Sequence, residues 1–186
     1  QKQGVKSNAV ETEFPPFINN VLMPLNAQKG DCLPVSTFID YADGTMPMGT
    51  TAYEKRGIAT RIPKWDALSC VQCNRCSFVC PHGVIRPYLL DNEERIAAPE
   101  GFVSIEAKGT KEMYFSMQIS DMDCTGCGSC VSVCPMKEKA LTMVQAPENM
   151  SVTESWNYGL TITEKNCFPK TTVKGSQLKQ PLCEFS

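Results

Sequence analysis

Cys70, Cys73, Cys76 and Cys80 are followed by Pro81, and Cys124, Cys127, Cys130 and Cys134 by Pro135, each residue of the second set standing 54 positions after its counterpart. Thiolates are soft ligands that suit iron better than carboxylate or carbonyl oxygens do. Intervals of two, two and three residues let three thiolates grip neighbouring corners of one cuboidal cluster from a single tight loop. The Cys-Pro that closes each set leaves its loop and ligates the other cluster. The pattern reads as two 4Fe-4S sites: Cys70, Cys73, Cys76 and Cys134 hold one, and Cys124, Cys127, Cys130 and Cys80 the other. A chain with such sites moves electrons. The competing chemistry is a pair of structural zinc sites in an interaction module, since Cys-x2-Cys pairs also build tetrahedral thiolate centres. Four cysteines per set, each closed by Cys-Pro, fit the cluster pattern better.

Loops of this kind must be carried by short elements on either side. Strand patterns occur at residues 57–62, 84–88, 114–119 and 140–144. After the third cysteine of each set, residues 77–79 and 131–133 suit a short helical turn leading to the fourth ligand. Strand, helix, strand, repeated once, predicts an α+β fold with a duplicated β-α-β ferredoxin-like core for two 4Fe-4S clusters and long irregular extensions. The two loops differ: the second supplies Gly126, Gly128 and Ser129, the first Gln72, Asn74 and Arg75. Their clusters should therefore differ in surroundings and potential.

The extensions are large, with 69 residues before Cys70 and 43 between Cys80 and Cys124. From residue 14 to 25, Phe14, Phe17, Ile18, Val21, Leu22 and Leu25 recur at helical spacing, while Pro15, Pro16 and Pro24 limit any helix to a short piece. Residues 29–51 carry Gly30, Pro34, Gly44, Pro47 and Gly49 and read as extended chain with turns, without a core of their own. The charged stretch 91–111 reads as a surface excursion, in which Asp91, Glu93 and Glu94 form a solvated run. Beyond Glu148 the chain turns polar, as a linker does.

Lysine and arginine number 18 against 20 aspartates and glutamates, so no basic excess points to nucleic acid or to an anionic membrane surface. Eight thiolates on two oxidised cores of about +2 each would take the formal charge from -2 to roughly -6. No apolar run approaches the ~20 residues of a membrane span, and no secretory signal opens the chain, which begins at Gln1. The location implied is cytoplasmic, with an organellar one left open by the absent methionine. Cys32, Cys167 and Cys183 lie outside the repeats and read as small structural residues, and Trp65 and Trp156 as packing residues. His82, the only histidine, follows Cys80-Pro81, where it could hydrogen-bond near a cluster or simply pack. No Ser-His-Asp set, phosphate-cradling loop or dinucleotide fingerprint is present, so no catalytic residue is assigned.

The flanks of the cysteine sets resemble one family, the pyruvate:ferredoxin (or flavodoxin) oxidoreductases. Residues 50–57, with Glu54, Lys55 and Arg56 in succession, resemble the Glu-Lys-Arg segment that precedes that family's ferredoxin-like domain. Residues 73–82 with Ile85, Arg86 and Pro87 are similar to its first cluster motif, and residues 124–130 with 134–141 to its second. Residues 172–177 and 181–186 resemble the stretch leading toward its thiamine diphosphate domain.

The resemblance implies a division into residues 1–56, irregular and carrying the Glu-Lys-Arg motif; residues 57–148, the dicluster domain, with a surface insertion near 89–113; and residues 149–186, a linker toward a missing thiamine diphosphate domain. It implies electron transfer inside an enzyme that oxidatively decarboxylates pyruvate with coenzyme A to acetyl-CoA and CO2. Thiamine diphosphate and a further 4Fe-4S cluster belong to parts outside this sequence, so the segment alone should not turn over. The implied partners are the rest of the oxidoreductase chain and ferredoxin or flavodoxin as acceptor, with no nucleic acid and no membrane. A free-standing dicluster ferredoxin, or an iron-sulfur subunit of another complex, is the alternative of the same chemistry.

Overall fold

The computed structural model describes residues 14–178. It divides into two compact units, Gln1–Glu54 and Lys55–Ser186.

In the first unit a π-helical turn, Ile18–Leu22, runs directly into α1, Met23–Asn26. Pro24 has no N–H and should interrupt an α-helix, yet the helical path continues through it. The wider π register explains this, with the Met23 N–H reaching back to the Ile18 carbonyl. Ile18 and Val21 are buried on one face. Edge-on ring pairs, Phe14 with Tyr53 at 5.4 Å and Phe17 with Tyr41 at 5.0 Å, tie the helix to the chain that follows. That chain is not extended as its composition suggests. It forms 3-10 turns at Gly30–Cys32, Val35–Tyr41 and Thr50–Tyr53, the last two started by Pro34 in extended geometry and by Gly49 at φ 75°. Proline and glycine here punctuate tight turns rather than spread the backbone.

The second unit mixes helix and sheet, an α+β arrangement. Its strands are β1 (Arg61–Trp65), β2 (Ile85–Leu90), β3 (Ile105–Glu106), β4 (Tyr114–Ile119) and β5 (Leu141–Gln145). β1 pairs antiparallel with β5, Pro63 opposite Met143; β2 pairs antiparallel with β4, Pro87 opposite Met117; and β3 adds to the far edge of β4. Each sheet thus joins a strand before one cysteine set to a strand after the other. Pro63 and Pro87 both sit in edge strands, where a missing N–H costs no ladder bond. That tolerance explains why β1 runs to Trp65, past the proline where residues 57–62 would have ended it.

The core lies between the sheets and the loops. Ile85, Leu90 and Phe115 are fully buried, Leu141 nearly so, and the Trp65 ring meets Phe115 edge-on at 6.0 Å. The main apolar cluster includes Cys70, Cys124 and Cys130, so cysteine loops and core are one packing problem. β2 is buried along its whole length, Arg86 included, whose guanidinium lies 5.5 Å from the Trp156 ring.

The stretches read as excursion and linker are both folded here. Residues 91–111 carry α3 (Asn92–Ala97), whose Asp91 and Glu94 form a reciprocal capping box, and the buried Phe102 and Ala107. Asp91 and Glu94 are not a solvated run: Lys165 pairs with Glu94 at 2.7 Å and Asp91 at 3.5 Å, and the Tyr158 hydroxyl donates to the Glu94 carbonyl. Over its described part, the stretch beyond Glu148 forms α5 (Glu154–Gly159) with Trp156 buried, and α6 (Val173–Leu178). Phe102, Ala107 and Trp156 are buried, while Ile96 and Val103 stay exposed. The two helices that follow the third cysteines, α2 (Arg75–Phe78) and α4 (Ser129–Ser132), complete the unit.

Candidate functional site

Each cysteine loop is built on the same backbone. Gln72 and Asn74 have φ of 58° and 59°, and Gly126 and Gly128, 54 positions later, have 74° and 76°. This left-handed course turns amides toward sulfur: the Gln72 N–H donates to Cys70 Sγ at 3.3 Å and the Gly126 N–H to Cys124 Sγ at 3.4 Å. α2 and α4 begin directly after it and carry Cys76 and Cys130.

Two cavities result. One is lined by Cys70, Cys73, Cys76 and Cys134, with Trp65 and Met117. The other is lined by Cys80, Cys124, Cys127 and Cys130, with His82 and Met143. Cys80 thus leaves α2 for the cavity of the second loop, and Cys134 leaves α4 for the cavity of the first. Among the described residues, no group of three or more His, Cys, Asp or Glu side chains forms a ready site for a single metal ion. The cysteines surround open spaces instead.

The donor set fits an iron-sulfur cluster in each space. Burial, with Cys70, Cys73 and Cys130 adding, pushes the Cys76 thiol up to about 12, and burial likewise takes Cys130 to about 11. Soft sulfur donors suit iron, whose positive charge would favour their thiolate form. Trp65 Nε1 is buried without a hydrogen-bond partner, an N–H of the kind cluster sulfurs accept. Cys127 differs: it is exposed, and hydrogen bonding by Ser129 holds its thiol below the usual value.

The loops are supported by different means. Glycine takes the left-handed turn freely, whereas glutamine and asparagine do not. The first loop offsets this with side-chain bonds to the two extensions. Gln72, fully buried, donates Nε2 to the Glu106 carbonyl and accepts from the Lys108 N–H, both at 2.7 Å. Asn74 Nδ2 donates to the Lys174 carbonyl at 3.1 Å, and Ser77 to Gln177 at 2.8 Å. Beside the second loop, Lys55 of the Glu-Lys-Arg segment forms an ion pair with Asp123 at 2.7 Å, and Asp121 is a half-buried carboxyl whose pKa burial raises.

Cys32 and Cys167 are exposed, so the packing role suggested by their size is not the one they take. Cys183 and residues 181–186 lie outside the described residues. His82 is exposed at the wall of the second cavity. Lys108 and Lys174, which meet the first loop, carried no signal in the sequence. Gln72 and Asn74 did: non-glycine residues aligned by the 54-residue offset with Gly126 and Gly128 demand outside support.

A family profile described as a domain of unknown function, EKR, matches residues 4–59, and one described as a 4Fe-4S double cluster binding domain matches residues 69–137. The chain is 51% identical over 174 residues to a pyruvate-flavodoxin oxidoreductase of Klebsiella pneumoniae, covering 93% of this chain and 15% of that protein. It is 53% identical over 182 residues to the pyruvate:ferredoxin oxidoreductase of Moorella thermoacetica, with 96% and 15% coverage. To a pyruvate dehydrogenase [NADP(+)] of Cryptosporidium parvum it is 47% identical over 189 residues, with 100% and 10% coverage. The chain therefore spans about 15% of the length of the first two relatives.

Proposed function

Because this chain belongs, over nearly its whole length, to the pyruvate-flavodoxin and pyruvate:ferredoxin oxidoreductases, we propose that it carries electrons through two 4Fe-4S clusters within such an enzyme. Cys70, Cys73, Cys76 and Cys134 would hold one, and Cys124, Cys127, Cys130 and Cys80 the other. The observation that carries this reading is the exchange of the fourth cysteines between the two cavities. Four cysteines per set, each closed by Cys-Pro, favour clusters over zinc.

When bound, each cluster supplies a one-electron carrier whose potential the protein sets. The residues do the rest. Amides of Gln72 and Gly126 orient toward ligand sulfurs, the apolar walls restrict water, and the crossed ligands hold the two sites at fixed separation. The duplicated ferredoxin-like layout is supported by the 54-residue offset, which carries β1 onto β4 and α2 onto α4. The wider reaction would be oxidative decarboxylation of pyruvate with coenzyme A to acetyl-CoA and CO2, with thiamine diphosphate and a further cluster held elsewhere in the enzyme. Residues 149–186 would lead toward that part, and ferredoxin or flavodoxin would take the electrons. No helix among the described residues is long and apolar enough to cross a membrane, and the location we propose is cytoplasmic.

The test is cluster content in Cys80→Ala. Iron and acid-labile sulfide should be about eight each in the parent chain, and the variant should lose chiefly the cluster of the second loop. Loss confined to the first would overturn the ligand assignment, and a colourless zinc protein would overturn the electron-transfer reading.

A further inference from the structure

Three lysines reach the backbone around the first cavity from three separate segments. Lys108, from the insertion, donates Nζ to the Cys70 carbonyl at 3.0 Å. Lys174, on α6, donates to the Lys108 carbonyl at 2.6 Å and lies 4.2 Å from the Phe168 ring, half-buried. Lys139 donates to the carbonyl of Cys134. Among the described residues, none of the three has a carboxylate at ion-pair distance. Cations stand at the second cavity as well: Arg61 donates to the Met143 carbonyl at 2.6 Å, the buried Arg86 donates to the Gly83 carbonyl at 3.2 Å, and Lys55 is paired with Asp123.

We propose that Lys108, Lys139 and Lys174 form an electrostatic collar that raises the reduction potential of the cluster of the first cavity above the value it would have without them. Reduction adds one negative charge to a cluster, and fixed cations nearby stabilise that state more than the oxidised one. Exposed ammonium groups are screened by solvent, so the half-buried Lys174 contributes most and the exposed Lys139 least. The collar also accounts for the two extensions: insertion and α6 bring to the first loop both the side-chain support of Gln72 and Asn74 and a net positive field. Lys108 and Lys174 are positioning residues, acting on the cluster through space and through the loop.

This inference rests on the cluster assignment proposed above. Its test is a potentiometric titration of the cluster-loaded chain followed by EPR, on the parent and on Lys174→Gln, Lys108→Gln and Lys174→Arg. The signal of the first cluster is the one perturbed by Cys73→Ser. Lys174→Gln and Lys108→Gln should each shift it downward while leaving the other in place, and Lys174→Arg should restore the parental value. Equal shifts of both signals, no shift, or a loss that arginine does not rescue would each sink the collar. Iron and sulfide contents separate the two failures: eight of each with unmoved potentials refutes the collar alone, whereas a parent chain without clusters refutes the reading beneath it.

Discussion

At the scale of single residues, the two loops show one backbone conformation reached by two chemistries. Gly126 and Gly128 meet the requirement for positive φ by having no side chain, and Gln72 and Asn74 meet it by anchoring theirs. The two glycines are not equivalent. A Cβ on Gly126 would stand 2.9 Å from the Arg61 carbonyl oxygen, while one on Gly128 would meet nothing within 4 Å. Gly128→Ala should therefore cost only the backbone penalty of about 1–2 kcal/mol. Gly126→Ala should cost more, because the backbone of Arg61 must move. Thermal unfolding of the loaded variants measures the difference, and equal losses would contradict this account.

At the scale of elements, the insertion and the C-terminal helices gain their order from a few polar anchors. α3 is capped by Asp91 and fastened by Lys165 to Glu94. The Glu94 amide holds the Asp91 carboxyl below its usual range. Burial pushes Glu94 up, but bonds from Lys165, Asp91 and Thr163 more than offset it and leave it lowered. Depressed carboxyls stabilise the fold above the ordinary carboxylate range, and that stabilisation is lost as pH falls through their lowered values. Amide exchange across α3, corrected for intrinsic rate, should be slow at about pH 6 and accelerate below about pH 4. Lys165→Met should exchange faster already at the higher pH, which separates this anchor from general acid loosening. Protection of α3 unaffected by either change would refute it.

At the scale of the whole second unit, core and ligands are inseparable. Cys70, Cys124 and Cys130 belong to the same apolar cluster as Ile85, Phe115 and Leu141, and both sheets draw strands from both halves of the sequence. Metal binding couples to folding wherever ligands lie in the core. Removing iron with a chelator should therefore lower amide protection in β1–β5 and β2–β4 together. One sheet staying protected while the other opens would mean the halves fold separately.

Much of the site was readable along the chain. Cluster coordination asks for thiolates at fixed local intervals, and local intervals are what a sequence displays, so the eight cysteines proposed as ligands stand out along the chain, as do the strand patterns at 84–88, 114–119 and 140–144. The extensions were not readable in the same way. Residues 91–111 and the chain after Glu148 look polar, because the few side chains that order them, such as Trp156, Lys165 and Lys174, act on partners far away in sequence. Lys174 meets the Lys108 carbonyl across 66 positions, and Asn74 meets the Lys174 carbonyl across 100. The sequence by itself determined the chemistry, two sets of cysteines at cluster spacing. Only the tertiary structure decided their unequal surroundings, because the charge near each loop depends on which distant lysines and carboxylates the fold brings to it.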